Sequence, residues 1–407
     1  MKAISQKSAD KENRLIRQQC PVCGNSETTI FFEVDSIPVF CNILLDTRAK
    51  ALAADHASIS LGYCSHCGMI YNYQFDPSRV EYAARYENSL HCSPYFQSYA
   101  AQMAEHLVTT YQLEGKDAIE VGCGQGDFLD LLHKVGIRQA IGFDPSYVSN
   151  QSLLDNITIF PEAYSEKHHH YQADLVCCRH VLEHIATPLP FVQLLKNALN
   201  DQPDSVLFME VPNAQHVFRD GGFWDILYEH CSYFTPQALE KLILQAGLKL
   251  IRIAERYEGQ FLTIEANLSR KSISSSQDRS LIDNMVESIA GFSERFIRTV
   301  ERWKEQLQGW QHYGKRVVLW GAGSKGVMFL NILGLSWEQI EYVVDINEKK
   351  HGRFVPRTGQ QVIDAKVLKR FQPDIIILMN PIYHKEVETM IKEFRLKTEL
   401  VNAVDTR

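Results

Sequence analysis

Short apolar runs alternate with segments of helical periodicity along much of the 407-residue chain. Ala118-Ile-Glu-Val121 is one such run. It leads into Gly122-Cys-Gly-Gln-Gly126, after which Phe128, Leu129, Leu131 and Leu132 fall at helical spacing. Residues 140–143, 174–178 and 205–210 predict further strands, and 190–199 a helix. Thr235 and Pro236 have the form of an N-cap and a first helical position, with Gly247 as the terminator. Two more strands are expected near 249–254 and 261–268. This alternation predicts an α/β fold with a doubly wound, Rossmann-like sheet whose ligands bind at the carboxyl ends of its strands. The functional loops should then follow Val121, Phe143, Cys178 and Val211.

Between 278 and 311 the apolar residues Met285, Ile289, Phe292, Phe296, Val300, Trp303, Leu307 and Trp310 recur at intervals of three and four, which predicts one long amphipathic helix. Its stripe is expected to seal an interface between domains of one chain, with a dimer as the other option. Beyond it, 316–320 forms a second apolar run that enters Gly321-Ala-Gly323-Ser-Lys325-Gly326, and a third run, Tyr342-Val-Val, ends at Asp345.

Composition narrows the class. Lys and Arg number 42 against 49 Asp and Glu, so the formal charge is −7, which speaks against a nucleic-acid binder driven by bulk charge. Apolar residues at 45% and charged residues at 22% describe a globular chain, long enough for several domains. Residues 1–17 are polar without an apolar core, and no stretch approaches the roughly 18 apolar residues of a membrane span, so a cytoplasmic protein without membrane contact is expected.

In such a compartment ten cysteines are not read as disulfides. Cys20-Pro-Val-Cys23-Gly and Cys64-Ser-His-Cys67-Gly are two knuckles, each placing both sulfurs on one side of a tight turn. Together they predict a tetrahedral zinc site with four thiolates. With no coordination position left for water or substrate, the metal should be structural.

The first glycine turn has the order strand, G-x-G-x-G, helix, strand, acid. Asp144 comes 22 residues after Gly122, where a ribose-binding carboxylate should sit. A nucleotide or nucleoside site is predicted here. The second turn matches the dinucleotide fingerprint even better, with Asp345 lying 24 residues after Gly321. An NAD-dependent oxidoreductase or epimerase is therefore the rival function. Only about 95 residues remain from Gly314, which is half of a two-part dinucleotide fold.

The segment 212–234 is long for a plain connection and leaves the carboxyl end of a core strand, so Glu229 and His230 should hang over the cofactor edge. Adjacent side chains on an extended segment point apart, so no direct contact between these two is assumed. His184 reads as a structural histidine, and His168-His169-His170 as a solvated connection rather than a metal tract.

Glu120 with Gly122-Cys123-Gly124-Gln-Gly126, then Asp144, then Arg179-His180-Val-Leu-Glu183-His184, resemble the successive motifs of class I S-adenosylmethionine-dependent methyltransferases. With the cysteine knuckles before them, and with Tyr228-Glu229-His230-Cys-Ser-Tyr233 and the second glycine turn after them, the order resembles the sugar-nucleotide C-methyltransferase family over nearly the whole chain. The resemblance implies a zinc-binding domain over 1–80, a methyltransferase core over 81–270, a linking helix over 271–312 and a Rossmann-like substrate-binding domain over 313–407. It implies methyl transfer from S-adenosylmethionine to the carbon beside the ketone of a nucleoside-diphosphate 4-keto-deoxysugar. Another metabolite, or transfer to oxygen, stands as the alternative. His230 is implied as the base and Glu229 as a tuning residue. Tyr86 is implied as donor to the enolate oxygen, with Tyr82 and Tyr228 as rivals. The donor would lie on Glu120, Gly122, Cys123, Gly124, Gly126, Asp144, Pro145, Arg179 and His180, with Glu162 and Ala163 flanking the adenine. Tyr82, Tyr233, Gly321, Gly323, Lys325 and Asp345 would serve the acceptor, and the C-terminal domain would bind no redox cofactor. A monomer or homodimer is expected.

Overall fold

The computed structural model describes residues 19–80, 87, 89–148, 155–200, 202, 204–268 and 285–404. Three sheets organise them. The N-terminal sheet is antiparallel, in the order β1 (Thr28–Pro38), β2 (His56–Cys64), β3 (Ile70–Asn72) and β9 (Ser232–Tyr233). Its last strand comes from the middle of the chain, pairing Ile70 with Tyr233 and Tyr71 with Ser232.

The central sheet has a parallel half in the order β6-β5-β4-β7-β8, from β4 (Asp117–Val121), β5 (Gln139–Phe143), β6 (Ile157–Phe160), β7 (Leu175–Arg179) and β8 (Val206–Pro212). β11 (Phe261–Asn267) and β10 (Lys249–Arg256) extend it antiparallel beyond β8. The direction of winding reverses at β4, which places the ligand crevice at the carboxyl end of that strand. β6 and the helix Pro94–Thr110 complete this region without having been anticipated from the apolar pattern.

The third sheet repeats the order: β14-β13-β12-β15-β16, from β12 (Val317–Trp320), β13 (Tyr342–Val344), β14 (Gln361–Ile363), β15 (Ile375–Leu378) and β16 (Glu399–Asn402), all parallel. Val-Val-Leu-Trp of β12 and Ile-Ile-Ile-Leu of β15 are buried at every position, as central parallel strands covered on both faces require.

The expected long helix is two, Met285–Ala290 and Phe292–His312, and its predicted residues 278–284 lie outside the described set. Gly291 interrupts it. The Arg295 guanidinium accounts for the break by taking Ser288 O at 2.6 Å, the carbonyl that a continuous helix would offer to the amide of residue 292. The apolar stripe bridges parts of one chain: Phe292 and Phe296 pack on Phe32 of β1 at ring separations of 5.2 and 4.9 Å, and Trp303 packs on Phe329 at 5.1 Å. Among the described residues no helix is long and apolar enough to cross a membrane.

Candidate active site and donor cleft

Val121 ends β4, and Gly122, Gly124 and Gly126 follow with φ of 78°, 56° and 90°, a region that disfavours any residue with a Cβ. A Cβ on Gly122 would also lie 2.1 Å from Val181 Cγ2. Gly122 N donates to Phe143 O at 2.8 Å, tying the turn to the end of β5. Asp144, the next residue after β5, is half-buried: Oδ2 accepts from Gly124 N at 2.7 Å and Oδ1 from Ser146 N and Oγ at 2.7 and 2.6 Å. These bonds aim the carboxylate over the turn while leaving it room to accept more, since a carboxylate takes about four hydrogen bonds. Pro145 is exposed at the rim, and Cys123 is buried against the strand at Gly142.

Beyond β6, Glu162 stands half-buried beside exposed Ala163, paired with Lys167 and with His168 Nε2 at 3.0 Å. His168 is not solvated, which corrects the reading of the three-histidine run. It is buried, and its Nδ1 accepts from Ser165 N at 3.0 Å to close a short turn.

Glu120, in β4, is buried under the turn, and burial raises its pKa to about 8 despite the charge of Arg179. Its Oε2 has no partner among the described residues. Arg179 does not face the crevice freely. It donates to Glu210 Oε1 at 3.0 Å and stacks over Phe128 at 4.2 Å. His180 leaves β7 with φ of 54° and puts Nε2 2.8 Å from Glu210 Oε1 and Nδ1 3.7 Å from Glu183 Oε1. Burial opposes its protonation, yet the two carboxylates outweigh burial and raise its pKa to about 9. Glu210 is held down to about 2 because the Arg179 charge and the His180 contact outweigh its own burial. Tyr99 completes the cluster on Glu210 Oε2.

The segment after β8 is more ordered than its aperiodic sequence predicts: it contains the helix Ala214–Phe218, a turn over Phe223–Asp225 and β9. Its Glu229 and His230 diverge. Glu229 is buried and its Oε2 accepts from Cys41 N at 2.7 Å, so it faces the N-terminal region. The His230 ring meets the His184 ring at 4.8 Å and 75°. His184 Nδ1 donates to Glu229 O at 3.0 Å, and one ligand-capable atom from each of Glu183, His184 and His230 lies within 4.8 Å of the others. Burial and the neighbouring His184 push the His230 pKa down to about 3, with Glu183 and Asp225 opposing. A neutral imidazole with an open lone pair results, facing a carboxylate that can balance a proton once it is taken up.

The tyrosines are placed differently. Tyr228 is buried with its hydroxyl accepting from Asp76 N at 3.0 Å, and the Tyr233 hydroxyl is bonded to Leu227 N and O at 2.9 and 3.1 Å. The Tyr233 ring is 6.2 Å from that of His230. Tyr82 and Tyr86 lie outside the described residues. From the sequence Glu183 has no assigned role and His184 reads as structural, yet both meet His230 in this cluster.

The second glycine turn is built alike and closed differently. Gly321, at φ 116°, donates to Val344 O at 2.8 Å, while Asp345 accepts from Ala322 N at 2.8 Å and Asn347 N at 2.9 Å. Lys350 Nζ adds an ion pair to Asp345 Oδ2 at 3.3 Å, with side-chain exposures of only 9% and 10%. A Cβ on Gly326 would stand 2.0 Å from Gly321 O, so the helix Ser324–Leu333 sits directly on the turn. Gly323 has φ −90°, a conformation open to any residue. Lys325 reaches away to an ion pair with Asp225 on the central loop.

The four knuckle cysteines converge. Cys20 Sγ is 3.5 Å from Cys67 Sγ and Cys23 Sγ is 3.6 Å from Cys64 Sγ, with all four within 4.8 Å. Tetrahedral thiolates about 2.3 Å from a zinc ion stand about 3.8 Å apart, so the donor set fits that ion. Gly24 and Gly68, at φ 73° and 76°, return their amides to Cys20 O and Cys64 O, both at 2.9 Å.

Residues 95–253 match the model of a methyltransferase domain and residues 271–404 that of a C-methyltransferase C-terminal domain. The chain is similar to the C-methyltransferase NovU of Streptomyces niveus, at 24% identity over 403 residues and 92% of each chain. It is also similar to a ubiquinone biosynthesis O-methyltransferase of Psychrobacter arcticus, at 27% identity over 35% of this chain and 63% of that one. Among solved structures, a magnesium protoporphyrin IX methyltransferase from Synechocystis PCC 6803 with bound S-adenosylhomocysteine covers 43% of this chain and 84% of its own at 18% identity, with a TM-score of 0.35. With both domains matched in order and a relative aligned almost end to end, the chain is an S-adenosylmethionine-dependent methyltransferase whose two-domain organisation is similar to that of a C-methyltransferase.

Proposed function

We propose that the chain transfers a methyl group to the carbon beside the ketone of a nucleotide-linked 4-keto-deoxysugar. S-adenosylmethionine supplies an electrophilic methyl when bound, so the chain's own task is to make and orient a carbanion. Gly122, Gly124 and Gly126 open the backbone at the switch point, Asp144 presents its carboxylate for ribose hydroxyls, and Glu162 and Ala163 flank the adenine. Glu120, protonated up to about pH 8, lies beneath as a buried hydrogen-bond partner.

His230 is the base. The observation that carries this reading is the meeting of His230 with His184 and Glu183 on the loop that leaves β8 at the crevice. His230 accepts the alpha proton at a ring nitrogen, Glu183 balances the imidazolium, and His184, fixed through Nδ1 on Glu229 O, keeps the ring in place. Glu229 ties this loop to Cys41. Tyr86 is the donor toward the enolate oxygen. The bonds made by Tyr228 and Tyr233 within the protein favour a supporting role for both. Asp345, buried and already paired with Lys350, supports a C-terminal domain that serves the acceptor and binds no dinucleotide.

Cys20, Cys23, Cys64 and Cys67 hold one structural zinc. Elemental analysis of protein purified without chelator should find about one zinc per chain, and less than half an equivalent would remove the site.

The decisive experiment is exchange. A keto-sugar nucleotide incubated with enzyme in deuterated water, without donor, should exchange its alpha proton with wild type and not with His230→Ala. Exchange that persists in the variant moves the base elsewhere, and a methyl on oxygen in the isolated product ends the carbon-transfer reading.

A further inference from the structure

Lys325, of the second glycine turn, stands in the first turn of the helix Ser324–Leu333, which has no acidic residue there and no side-chain cap at Gly323. A cation in that position faces the positive end of the helix dipole, so the placement is unfavourable until an anion joins it. The anion comes from 100 residues earlier in the chain. The Lys325 ammonium donates to both carboxylate oxygens of Asp225, in the turn Phe223–Asp225, with side-chain exposures of only 22% and 17%.

The residue beside Asp225 makes the same crossing. Trp224 is buried, donates Nε1 to Ala403 O at 3.1 Å and meets the ring of Phe329, on the same helix as Lys325, at 4.9 Å. From Asp225 the chain runs through Ile226, Leu227, Tyr228 and Glu229, all buried, to His230. The far side of this run is fastened to the N-terminal region: Asp76 N donates to the Tyr228 hydroxyl and Asn72 N to Cys231 O, both at 3.0 Å. His230 therefore stands between two anchors, one of them in the C-terminal domain. Without its ammonium, Asp225 would be a largely buried carboxylate lacking a counter-charge, and moving it toward water would drag the loop with it.

We propose that Lys325 and Asp225 are positioning residues for methyl transfer, an ion pair through which the C-terminal domain holds the loop that presents His230 to the acceptor. The proposal rests on the reading of His230 as the base. It assigns Lys325 to the loop and not to the acceptor itself, because its ammonium is already committed to both oxygens of Asp225.

The test uses the full chain and compares Lys325→Met, Lys325→Arg, Asp225→Asn and the double variant Lys325→Met/Asp225→Asn. With S-adenosylmethionine and a nucleotide-linked 4-keto-deoxysugar, Lys325→Met should lose at least about tenfold in kcat at unchanged KM for the sugar and unchanged S-adenosylhomocysteine affinity. Lys325→Arg should restore turnover to within about threefold of wild type, and the double variant should lose no more than the worse single one, as residues acting as a unit do. Hydrogen exchange read by mass spectrometry needs no acceptor: it should quicken over 222–234 in Lys325→Met, where Leu227 N is held on the Tyr233 hydroxyl at 2.9 Å, and stay as in wild type over 118–144. Wild-type kcat in Lys325→Met overturns the proposal. A rise in KM alone with exchange over 222–234 unchanged also overturns it and makes Lys325 an acceptor contact, and so do additive losses in the double variant. Should Lys325→Met fail to fold, kcat and exchange in Asp225→Asn decide by the same criteria. Failure of the His230 reading would show itself separately, as alpha-proton exchange that persists in His230→Ala while Lys325→Met still loosens the loop and lowers kcat.

Discussion

The half-sheet β6-β5-β4-β7-β8 and the sheet β14-β13-β12-β15-β16 share a strand order, a glycine turn after the central strand and an aspartate after the next strand, and they differ in what surrounds that aspartate. In both, the turn's amides bind the carboxylate and the first glycine binds the neighbouring strand at 2.8 Å. Asp144 is half-buried, with no cation paired to it among the described residues. Asp345 is buried, paired with Lys350, under a helix whose Gly326 touches the turn. The spacing of a fingerprint thus sets up the turn, whereas the neighbours set how buried its aspartate is and what charge it meets.

Substitutions placed in parallel in the two halves should separate them. The largest effect is expected at the loop that carries His230: His230→Ala should lose on the order of 10² to 10⁴ in turnover with unchanged S-adenosylhomocysteine affinity. Steady-state kinetics beside calorimetry would check it, and a loss below about tenfold would take the base role away from His230. In the second half the expected damage is to stability. Asp345→Ala leaves Lys350 buried without its counter-charge and should destabilise by roughly 3 to 5 kcal/mol, read from denaturant unfolding, without touching donor affinity. Asp144→Ala should weaken S-adenosylhomocysteine binding by roughly 1 to 3 kcal/mol. Equal donor affinity in Asp144→Ala and wild type would erase the contrast between the turns.

A pH-dependent effect sharpens it further. His180 has its pKa raised from 6.5 to about 9, so its protonation stabilises the fold fully below about pH 6.5 and that share is lost as pH rises through 9. The share is on the order of 3 kcal/mol, and His180→Gln should flatten the fall in unfolding midpoint between pH 6.5 and 9. Smallest of all, Gly323→Ala should change stability by less than about 0.5 kcal/mol, since its backbone is ordinary and the space beside it open, whereas Gly326→Ala would drive a methyl into Gly321 O.

Much of this architecture was legible from local spacing. Each cysteine knuckle, each glycine turn and the Thr235 cap, which accepts from Ala238 N, is spelled by residues a few positions apart, and the two acids follow their turns at a recognisable spacing of 22 and 24 residues. The pieces that escaped depend on side-chain contacts that apolar periodicity and motif spacing do not encode. Lys350 looks like any surface lysine until β13 and the turn fold over it, and nothing in Glu183-His184 announces the histidine 46 residues later that packs against it. The break at Gly291 needed Arg295 to take the Ser288 carbonyl, a contact that apolar periodicity does not encode.

The two-residue strand β9 carries a consequence for how the chain is made. Residues 28–72 leave the ribosome early, but the partner of β3 is Ser232–Tyr233, about 160 residues further on. Until that pair arrives, β3 is an open edge next to the second cysteine knuckle, with Cys64 N already committed to Met69 O at 2.8 Å. Synthesis order and assembly order therefore diverge. The first-made sheet is finished only after the strands that carry the first glycine turn have been made, and the histidine loop is fastened in the same step, through Asn72 N to Cys231 O at 3.0 Å. A nascent chain stalled before residue 232 would present that bare edge to its neighbours, which makes the N-terminal region the place where co-translational aggregation should begin.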